Sequence, residues 1–475
     1  MAGDEHGLAV GATSDAALKH FDQAVDDLLN FRPEVAAESR SVLAEDPDWP
    51  MGNVLAAYLA VLATEPDDTR RERRRFAAFR TRVDERALPP RERAHVAAAQ
   101  VLLNGDLLGA GRLLAQIVAE HPRDALALAA GHQIDFLTGD ARMLRDRIGG
   151  ALSAWHEDED RHYGHILGMY AFGLEEAGHY DRSEETGLRA VELNPRDVWA
   201  IHAVAHTYEM QGRFGDGVRL LDERRDDWAT GTFFNVHTWW HYALYALEAG
   251  ATGRALEIYD AVLHGPDTSE SALELVDASA LLWRMYLDGH DQTARWRALA
   301  DAWAAKTAEP FSAFNDAHAV MAYVGAGRIA DAEALIRSRE TYAEWERPAV
   351  TNHAMTVRVG LPVCRALVAY GRGDHERVVE LLHPIRHRVH EFGGSHAQRD
   401  AVQKTLLESA LRAGRLDLAR LLISERTSVR PSSPFNWLKH ADLARRLGDA
   451  GLAASSTARA TELVREAALP FPRPR

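Results

Sequence analysis

The pattern of apolar and polar positions predicts helices rather than strands along the whole chain. No segment alternates apolar and polar residues over the length of a strand, and no Asn-Gly turn joins two strand-like segments. Glycines followed by a polar or small residue interrupt the chain every 34 to 46 residues. This spacing predicts units of a helix, a turn at a glycine, a second helix and a loop. The turn glycines are Gly105, Gly139, Gly178, Gly212, Gly250, Gly289, Gly327, Gly373, Gly414 and Gly448.

Small residues recur at fixed distances from these glycines. Close approach of two helices requires small side chains where they cross, as in the hairpins of tetratricopeptide repeats. Seven residues before a glycine lie Ala98, Ala171, Ala205, Ala243 and Ala441, and five residues after one lie Ser183, Gly217, Ala255, Ala332, Ala419 and Ala453.

We therefore predict an all-α fold, a superhelical solenoid of about a dozen tetratricopeptide-like hairpins. If the solenoid curls far enough, it closes around a central pocket. The glycine intervals leave no linker long enough to divide domains. We expect a flexible N-terminus over residues 1–14, one continuous solenoid over 15–468 and a proline-rich C-terminal tail over 469–475.

Composition limits the partners and the compartment. The chain has 475 residues, a formal net charge of −15 and one cysteine, Cys364. An acidic chain without a sustained basic cluster is not expected to bind nucleic acid or an anionic membrane. A single cysteine is typical of a reducing compartment, and the N-terminus shows no signal peptide. We expect a soluble, cytoplasmic protein.

Four motifs resemble one family. They are AIHAVAHTYEMQGR, VHTWWHYALYALEAG followed by EIYD, FNDAHAVMAYVGAGR and GGSHAQRD. Together they resemble the tetratricopeptide repeat protein 38 family, and the resemblance covers about residue 20 to about residue 450. It implies a tetratricopeptide-like helical fold in a soluble protein. It implies no reaction, so the function must be argued from the residues.

Several histidines and carboxylates fall on the predicted concave face. Positions 13, 10, 6 and 3 residues before a turn glycine face this side of the first helix of a hairpin. They hold His165 and Glu175 in one hairpin, His202, His206 and Glu209 in the next, and His237 and Trp240 in the third. His241 follows at the edge of this face or points into the packing between repeats. We expect these side chains to share one concavity, with Trp240 as a ligand contact.

Three interpretations of this group remain open. His202, His206 and Glu209 lie on one helix face, so with His237 or His165 they would suit zinc or ferrous iron. The motif is not HExxH, because Ala203 replaces the required glutamate. Alternatively, a histidine oriented by Glu209 or Glu175 transfers protons at neutral pH. In the third interpretation, the histidines are hydrogen-bonded fillers between helices.

The segment GGSHAQRD, residues 393 to 400, predicts a helix start with a second candidate site. Ser395 and Gln398 form a capping box at the start of a helix that runs to about Arg412. His396, Arg399 and Asp400 have no part in the box. Free N–H groups at the helix start and the Arg399 guanidinium would bind a carboxylate or phosphate. A serine nucleophile is not favoured, because a helix and not a strand precedes Ser395.

Two functions follow from these residues. The first is a pocket that binds a small polar or anionic molecule, with a divalent metal or without a cofactor. Its predicted catalytic residues are His202, His206, Glu209 and His237, and its predicted ligand-binding residues are His165, Glu175, Trp240, His241, His396, Arg399 and Asp400. The second is a non-catalytic scaffold that holds a peptide. Both an enzyme and a binding protein fit these residues, and the sequence makes no prediction of oligomeric state.

Overall fold

Helices dominate the computed structural model, which describes residues 2–11 and 14–467. The predicted all-α fold is confirmed. Two dipeptide strands, β1 (Ala2–Gly3) and β2 (Ala9–Val10), pair in antiparallel fashion. Strands of two residues are too short to show an alternating pattern, so the sequence did not predict them. Residues 1, 12 and 13 of the predicted flexible N-terminus, residue 468 of the predicted solenoid and the whole predicted tail, 469–475, lie outside the described residues.

The helices follow one another with short connections. In the first part of the chain they are α1 Asp15–Leu29, α2 Val35–Glu45, α3 Pro50–Leu62, α4 Pro66–Arg80, α5 Pro90–Leu103, α6 Leu107–Glu120, α7 Ala125–Leu137, α8 Ala141–Ala151, α9 Tyr163–Glu176, α10 Tyr180–Leu193, α11 Val198–Gln211, α12 Phe214–Glu223 and α13 Arg225–Trp228. They continue with α14 Asn235–Glu248, α15 Thr252–Ile258, α16 Ala272–Leu287, α17 Thr293–Ala304, α18 Ala313–Gly325, α19 Ile329–Ala343, α20 Thr351–Met355, α21 Leu361–Gly371, α22 His375–Leu382, α23 His396–Arg412, α24 Leu416–Val429, α25 Pro434–Arg446 and α26 Ala450–Glu466. Short 3-10 helices cover Leu152–Ala154, His383–Ile385 and Val389–Phe392, and π-helical turns cover Tyr259–Leu263 and Thr356–Gly360.

The predicted turn glycines are confirmed as helix ends. All ten have positive φ, between 66° and 90°. Gly212, which ends α11, shows the pattern: its N–H donates to the Glu209 carbonyl at 3.0 Å, and the Arg213 N–H donates to the Tyr208 carbonyl at 2.7 Å. This is a Schellman motif, which satisfies the last carbonyls of the helix. A Cβ on Gly212 would lie 2.6 Å from the backbone nitrogen of Ser433, so no larger residue fits.

The predicted small residues lie where helices cross. Ser183 is fully buried, and its hydroxyl donates to the carbonyl of Ala171 at 2.7 Å, which joins α10 to α9. In α12, a Cβ on Gly217 would lie 2.2 Å from the ring of Tyr245 on α14. The Tyr245 hydroxyl in turn donates to the carbonyl of Ala205 at 2.6 Å. These contacts confirm the repeating hairpins of tetratricopeptide type.

The chain forms two compact units. The first comprises the described residues up to Ala203, Asp226–Asn235 and Glu346–Met355. The second comprises Val204–Arg225, Val236–Trp345 and the described residues from Thr356 onward. The boundary falls within α11, between Ala203 and Val204.

In each unit, consecutive helices pack against each other. In the first unit, α5 to α10 form an unbroken series in which each helix contacts the next. In the second unit, α16 packs against its neighbour α17 and also against α23, which follows more than one hundred residues later. The Trp283 indole N–H donates to the Thr405 hydroxyl at 2.8 Å across this contact. Helix α23, which carries the predicted anion site, is thereby held against the middle of the unit.

No helix among the described residues combines the length and the apolar character needed to cross a bilayer.

Candidate functional site

Four side chains of the second unit form a continuous chain of polar contacts. Glu209 Oε2 lies 2.7 Å from His241 Nδ1, and His241 Nε2 lies 3.2 Å from His237 Nε2. His237 Nδ1 lies 2.8 Å from Asp277 Oδ2. We call Glu209, His241, His237 and Asp277 the carboxylate–histidine chain. It joins α11, α14 and α16, and the helical spacing of His237 and His241 places both imidazoles on one side of α14.

Aromatic rings surround this chain. The Trp240 ring stacks on His237 with centroids 5.2 Å apart, and the Arg284 guanidinium lies 5.4 Å from the Trp240 ring centroid. The His206 ring lies edge-on to His241, at 4.3 Å between centroids. Trp240 and His241 are fully buried.

Burial changes the protonation of the chain. It raises the pKa of Glu209 to about 7, although the nearby Arg430 and Arg284 act in the opposite direction. Burial also holds the pKa of His241 well below its usual value, and the neighbouring His237 and Arg284 lower it further. Near neutral pH, His241 is therefore neutral, while the Glu209 carboxyl exchanges between its two protonation states.

Glu209 also lines a cleft of the second unit, which we call the charged cleft. The unoccupied space is about 580 Å³, part of which is open solvent. Acidic and basic side chains face this space together with the rings of Phe214, Tyr245 and Phe435. The charged residues are Glu209, Glu248, Asp288 and Asp400, opposite Arg284, Lys404 and Arg430.

Asp400 is the centre of the ion pairs in the charged cleft. Its carboxylate contacts Arg426 Nη1 at 2.6 Å and Arg430 Nη1 at 3.5 Å. Burial alone would raise the pKa of Asp400, but Arg426, Arg430 and Lys404 outweigh it and hold the pKa well below its usual value. Asp400 is therefore ionised and neutralises cations of its own unit.

Lys404 is the more loosely held cation of the cleft. Its ammonium lies 3.8 Å from Glu248 Oε1 and 3.9 Å from Asp400 Oδ2, longer than direct hydrogen bonds. The same ammonium lies 3.9 Å from the ring centroid of Phe435, a cation–π contact. Burial lowers the pKa of Lys404.

The helix that follows GGS begins as predicted. The capping box of Ser395 and Gln398 is present, and α23 ends at Arg412. Arg399 is buried, and its Nη1 donates to the Gly394 carbonyl, so the guanidinium binds the loop before its own helix. His396 is half-buried at the start of this helix. Asp400 contributes to the charged cleft, where Glu209 also lies.

The other predicted site residues lie in the first unit. His165 is buried, and its Nε2 lies 3.1 Å from Asn30 Oδ1 and 3.0 Å from Asn194 Nδ2. Burial lowers the pKa of His165 to about 3. Glu175, on α9, is fully buried.

His202 also lies in the first unit, in the part of α11 before the unit boundary. Its ring packs against Phe172, Trp199 and Phe234 at centroid distances of 4.8 to 5.2 Å. His202 and His206 are separated by one helical turn, as the sequence predicted. The aromatic neighbours of His202 resemble the packed environment of a core residue.

Candidate metal ligands occur in the second unit. His206, His237 and His241 each offer a ring nitrogen, and these nitrogens lie within 4.8 Å of one another. The carboxylate of Glu209 lies against His241 Nδ1. Direct ligation of a metal by Glu209 stays a prediction.

Sequence reasoning missed Asp277, Arg284, Lys404 and Arg430. Asp277 and Arg284 lie within the apolar run VDASALLWRMYL, and charged residues in such a run are a recognisable signal for buried polar contacts. The residues next to Lys404 and Arg430 in the sequence do not indicate a role for either side chain. Their roles depend on the approach of α23 and its neighbours to α14 and α16.

No protein-family model matches the chain. Among solved structures, the chain is similar to a human IFIT1 dimer with PPP-AAAA, at 12% sequence identity and a TM-score of 0.43, with 95% of each chain covered. It is also similar to the APC/C hetero-tetramer Cut9-Hcn1, at 13% identity and a TM-score of 0.28, with 96% of this chain and 97% of that chain covered. A third is Naa15/Naa10 bound to HypK-THB, at 14% identity and a TM-score of 0.23, with 94% of this chain and 63% of that chain covered. At these identities and TM-scores the similarity supports no statement about function.

Proposed function

We propose that the second unit binds a small polar molecule with an anionic group in the charged cleft, and that Glu209 exchanges a proton with it. One observation carries this proposal: Glu209 faces the cleft and also contacts His241 at 2.7 Å. Burial raises its pKa to about 7, which is near the optimum for a group that gives and takes protons at neutral pH.

The contacts behind Glu209 support this role. His241 contacts His237, and His237 contacts Asp277, so each imidazole has a polar partner on both nitrogens. Such contacts hold the rings in one orientation and one tautomer at a time. The roles differ from those expected from the sequence, where a histidine faced the ligand and Glu209 oriented it.

The charges of the cleft support the ligand class. Lys404 and Arg430 supply positive charge, and the Lys404 ammonium has no short ion pair that an incoming anion would have to break. Glu248 and Asp288 add negative charge beside them. A molecule with one anionic group and further polar groups matches this mixture better than a polyanion does.

The first test is a thermal-shift screen of purified protein against anionic and zwitterionic metabolites. A compound of the proposed class should raise the Tm of the wild type and of Glu257→Gln, an exposed carboxylate on α15 that serves as the control. If no compound raises the Tm, or if each hit binds an unrelated surface, the proposal fails. A peptide that binds while the metabolites do not would support the alternative of a scaffold.

Proton exchange has a separate test. Calorimetric titration of the hit in buffers of different ionisation enthalpy reports the protons taken up or released on binding. The wild type and Glu257→Gln should show proton exchange between pH 6 and pH 8, and Glu209→Gln should bind without it. Equal proton exchange in all three proteins would assign it to another group.

We also propose that the chain belongs to the tetratricopeptide repeat protein 38 family and that it is cytoplasmic. The four motifs quoted above support the family. The single cysteine, Cys364, is buried and unpaired with another cysteine, as is typical of a reducing compartment.

A further inference from the structure

Two imidazole nitrogens of the second unit face each other. His241 Nε2 and His237 Nε2 are 3.2 Å apart, and the second nitrogen of each ring lies against a carboxylate. His241 Nδ1 lies 2.7 Å from Glu209, and His237 Nδ1 lies 2.8 Å from Asp277. Each carboxylate thus orients one ring, and the Nε2 atoms are the ring nitrogens directed away from the carboxylates.

At 3.2 Å the two Nε2 atoms are held together either by a shared proton or by a cation that both nitrogens bind. A tetrahedral zinc ion with Zn–N bonds of about 2.0–2.1 Å holds two ligand nitrogens about 3.3–3.4 Å apart. The observed separation is close to this value, so the two rings already have the spacing of ligands on one ion.

A third imidazole lies beside the pair. A ring nitrogen of His206 is within 4.8 Å of the ligand nitrogens of His237 and His241. The His206 ring contacts His241 edge-on, with centroids 4.3 Å apart. His206 lies on α11, and His237 and His241 lie on α14.

The surroundings have the features of a metal site. In such sites a histidine ligand usually donates its other N–H to a carboxylate, which orients the ring and raises its basicity. Glu209 and Asp277 occupy these two places, and their charges offset that of a divalent cation. Asp277 Oδ1 is buried and has no hydrogen-bond partner among the described residues, so this oxygen can accept a further hydrogen bond. The His237 side chain is 16% exposed, which leaves a path for an ion.

We propose that His206, His237 and His241 bind a divalent transition-metal ion, with zinc as the best match, and that Glu209 and Asp277 position the histidines. The inference goes beyond the proposed function, because the ion would bind without any small molecule in the charged cleft. It retains His206 and His237 from the residues considered on sequence grounds and gives Glu209 a positioning role.

The first experiment measures metal on the wild-type protein. Protein purified from zinc-supplemented medium and passed through a desalting column should contain about one zinc per chain by elemental analysis. After removal of zinc by a chelator, cobalt(II) chloride should restore one equivalent and give the visible absorption bands of tetrahedral cobalt. Absence of stoichiometric zinc, together with absence of cobalt binding, would overturn the proposal and leave a shared proton between the two rings.

Variants then test the ligand set. His237→Gln and His241→Gln should lose cobalt binding, and Asp277→Asn should weaken it by about 10–100-fold while the bands remain tetrahedral. His440→Gln, a half-buried histidine on α25 that contacts Ser456, is the control and should bind cobalt like the wild type. Circular dichroism checks that each variant folds. If the variants of the buried histidines do not fold, the zinc and cobalt measurements on the wild-type protein decide whether the metal site exists. Unchanged binding in His237→Gln and His241→Gln would place the ion elsewhere.

The metal test and the metabolite screen fail independently. Cobalt binding without a metabolite hit would sustain the metal site and reject the proposed function. A metabolite hit on protein that binds neither zinc nor cobalt would do the reverse.

Discussion

Glu209 and His241 lie 2.7 Å apart, although 32 positions separate them in the chain. Each belongs to the first helix of its own hairpin, so the contact depends on neighbouring hairpins that pack side by side. It joins the charged cleft, which Glu209 lines, to the two histidines behind it. The cleft and the histidine group are thus parts of one polar region within the second unit.

The ligand of the charged cleft should depend on Lys404. Replacement by methionine keeps much of the side-chain volume but removes the ammonium, so affinity for an anionic ligand found in the screen should fall by about 10-fold or more. Lys439→Met is a matched control, because Lys439 also lies over the Phe435 ring, at 5.2 Å, but does not line the cleft. Calorimetric titration measures both. Equal losses of affinity would mean that the anion is not held by Lys404.

The contact between α16 and α23 should depend on one hydroxyl. Thr405→Val leaves the buried indole N–H of Trp283 without its acceptor, which should lower the free energy of unfolding by about 1–3 kcal/mol. The control is Thr461→Val on α26, since both hydroxyls donate to the carbonyl four residues earlier but Thr461 is exposed. Urea unfolding of the two variants gives the comparison. A loss no larger than that of Thr461→Val would show that the indole contact adds little stability.

Adding a methyl group where α12 crosses α14 should destabilise the protein. Gly217→Ala would place its Cβ 2.2 Å from the Tyr245 ring, so repacking should cost about 1–3 kcal/mol. Gly253→Ala, on α15, has open space around its Cβ and should be neutral or stabilise by about 0.5–1 kcal/mol. Thermal unfolding distinguishes the two. A stable Gly217→Ala protein would mean that the Tyr245 ring moves aside without cost.

Asp197 should contribute less to the stability of the first unit as pH rises from about 4 to about 7. Burial raises the pKa of Asp197 from 3.8 to about 7, although backbone N–H groups of Ala200 and Trp199 act in the opposite direction. Between these pKa values the folded state holds a proton that the unfolded chain has lost. The stabilising effect is complete below the unfolded pKa and disappears as pH rises through the folded pKa.

The variant Asp197→Asn keeps an oxygen for the Ala200 N–H, which Asp197 Oδ1 accepts at 3.0 Å, and removes the ionisation. At pH 8 it should exceed the wild type in free energy of unfolding by about 2–4 kcal/mol, and the difference should shrink toward pH 5. Urea unfolding at the two pH values measures this, with the exposed Asp181→Asn as control. A difference that does not change with pH would contradict the raised pKa.

Short-range features of the chain were predictable because their causes lie within a few residues. The turn glycines adopt positive φ because a helix end favours a residue without a Cβ, and the capping box of Ser395 and Gln398 involves only one helical turn. The small residues at crossings followed from the repeat itself. The positions of Glu209 and His237 on the same faces as other polar residues followed from helical periodicity.

Contacts between distant segments were not predictable in this way. Lys404 and Arg430 reach the cleft of Glu209 because α23 and the helices after it pack against the earlier part of the second unit, with α16 and α23 in contact despite more than one hundred intervening residues. A repeat pattern specifies how each hairpin contacts the next, but small rotations per hairpin accumulate and decide which distant helices meet. The order of helices and turns therefore follows from local backbone preference, whereas the partners of each buried charge follow from this accumulated curvature.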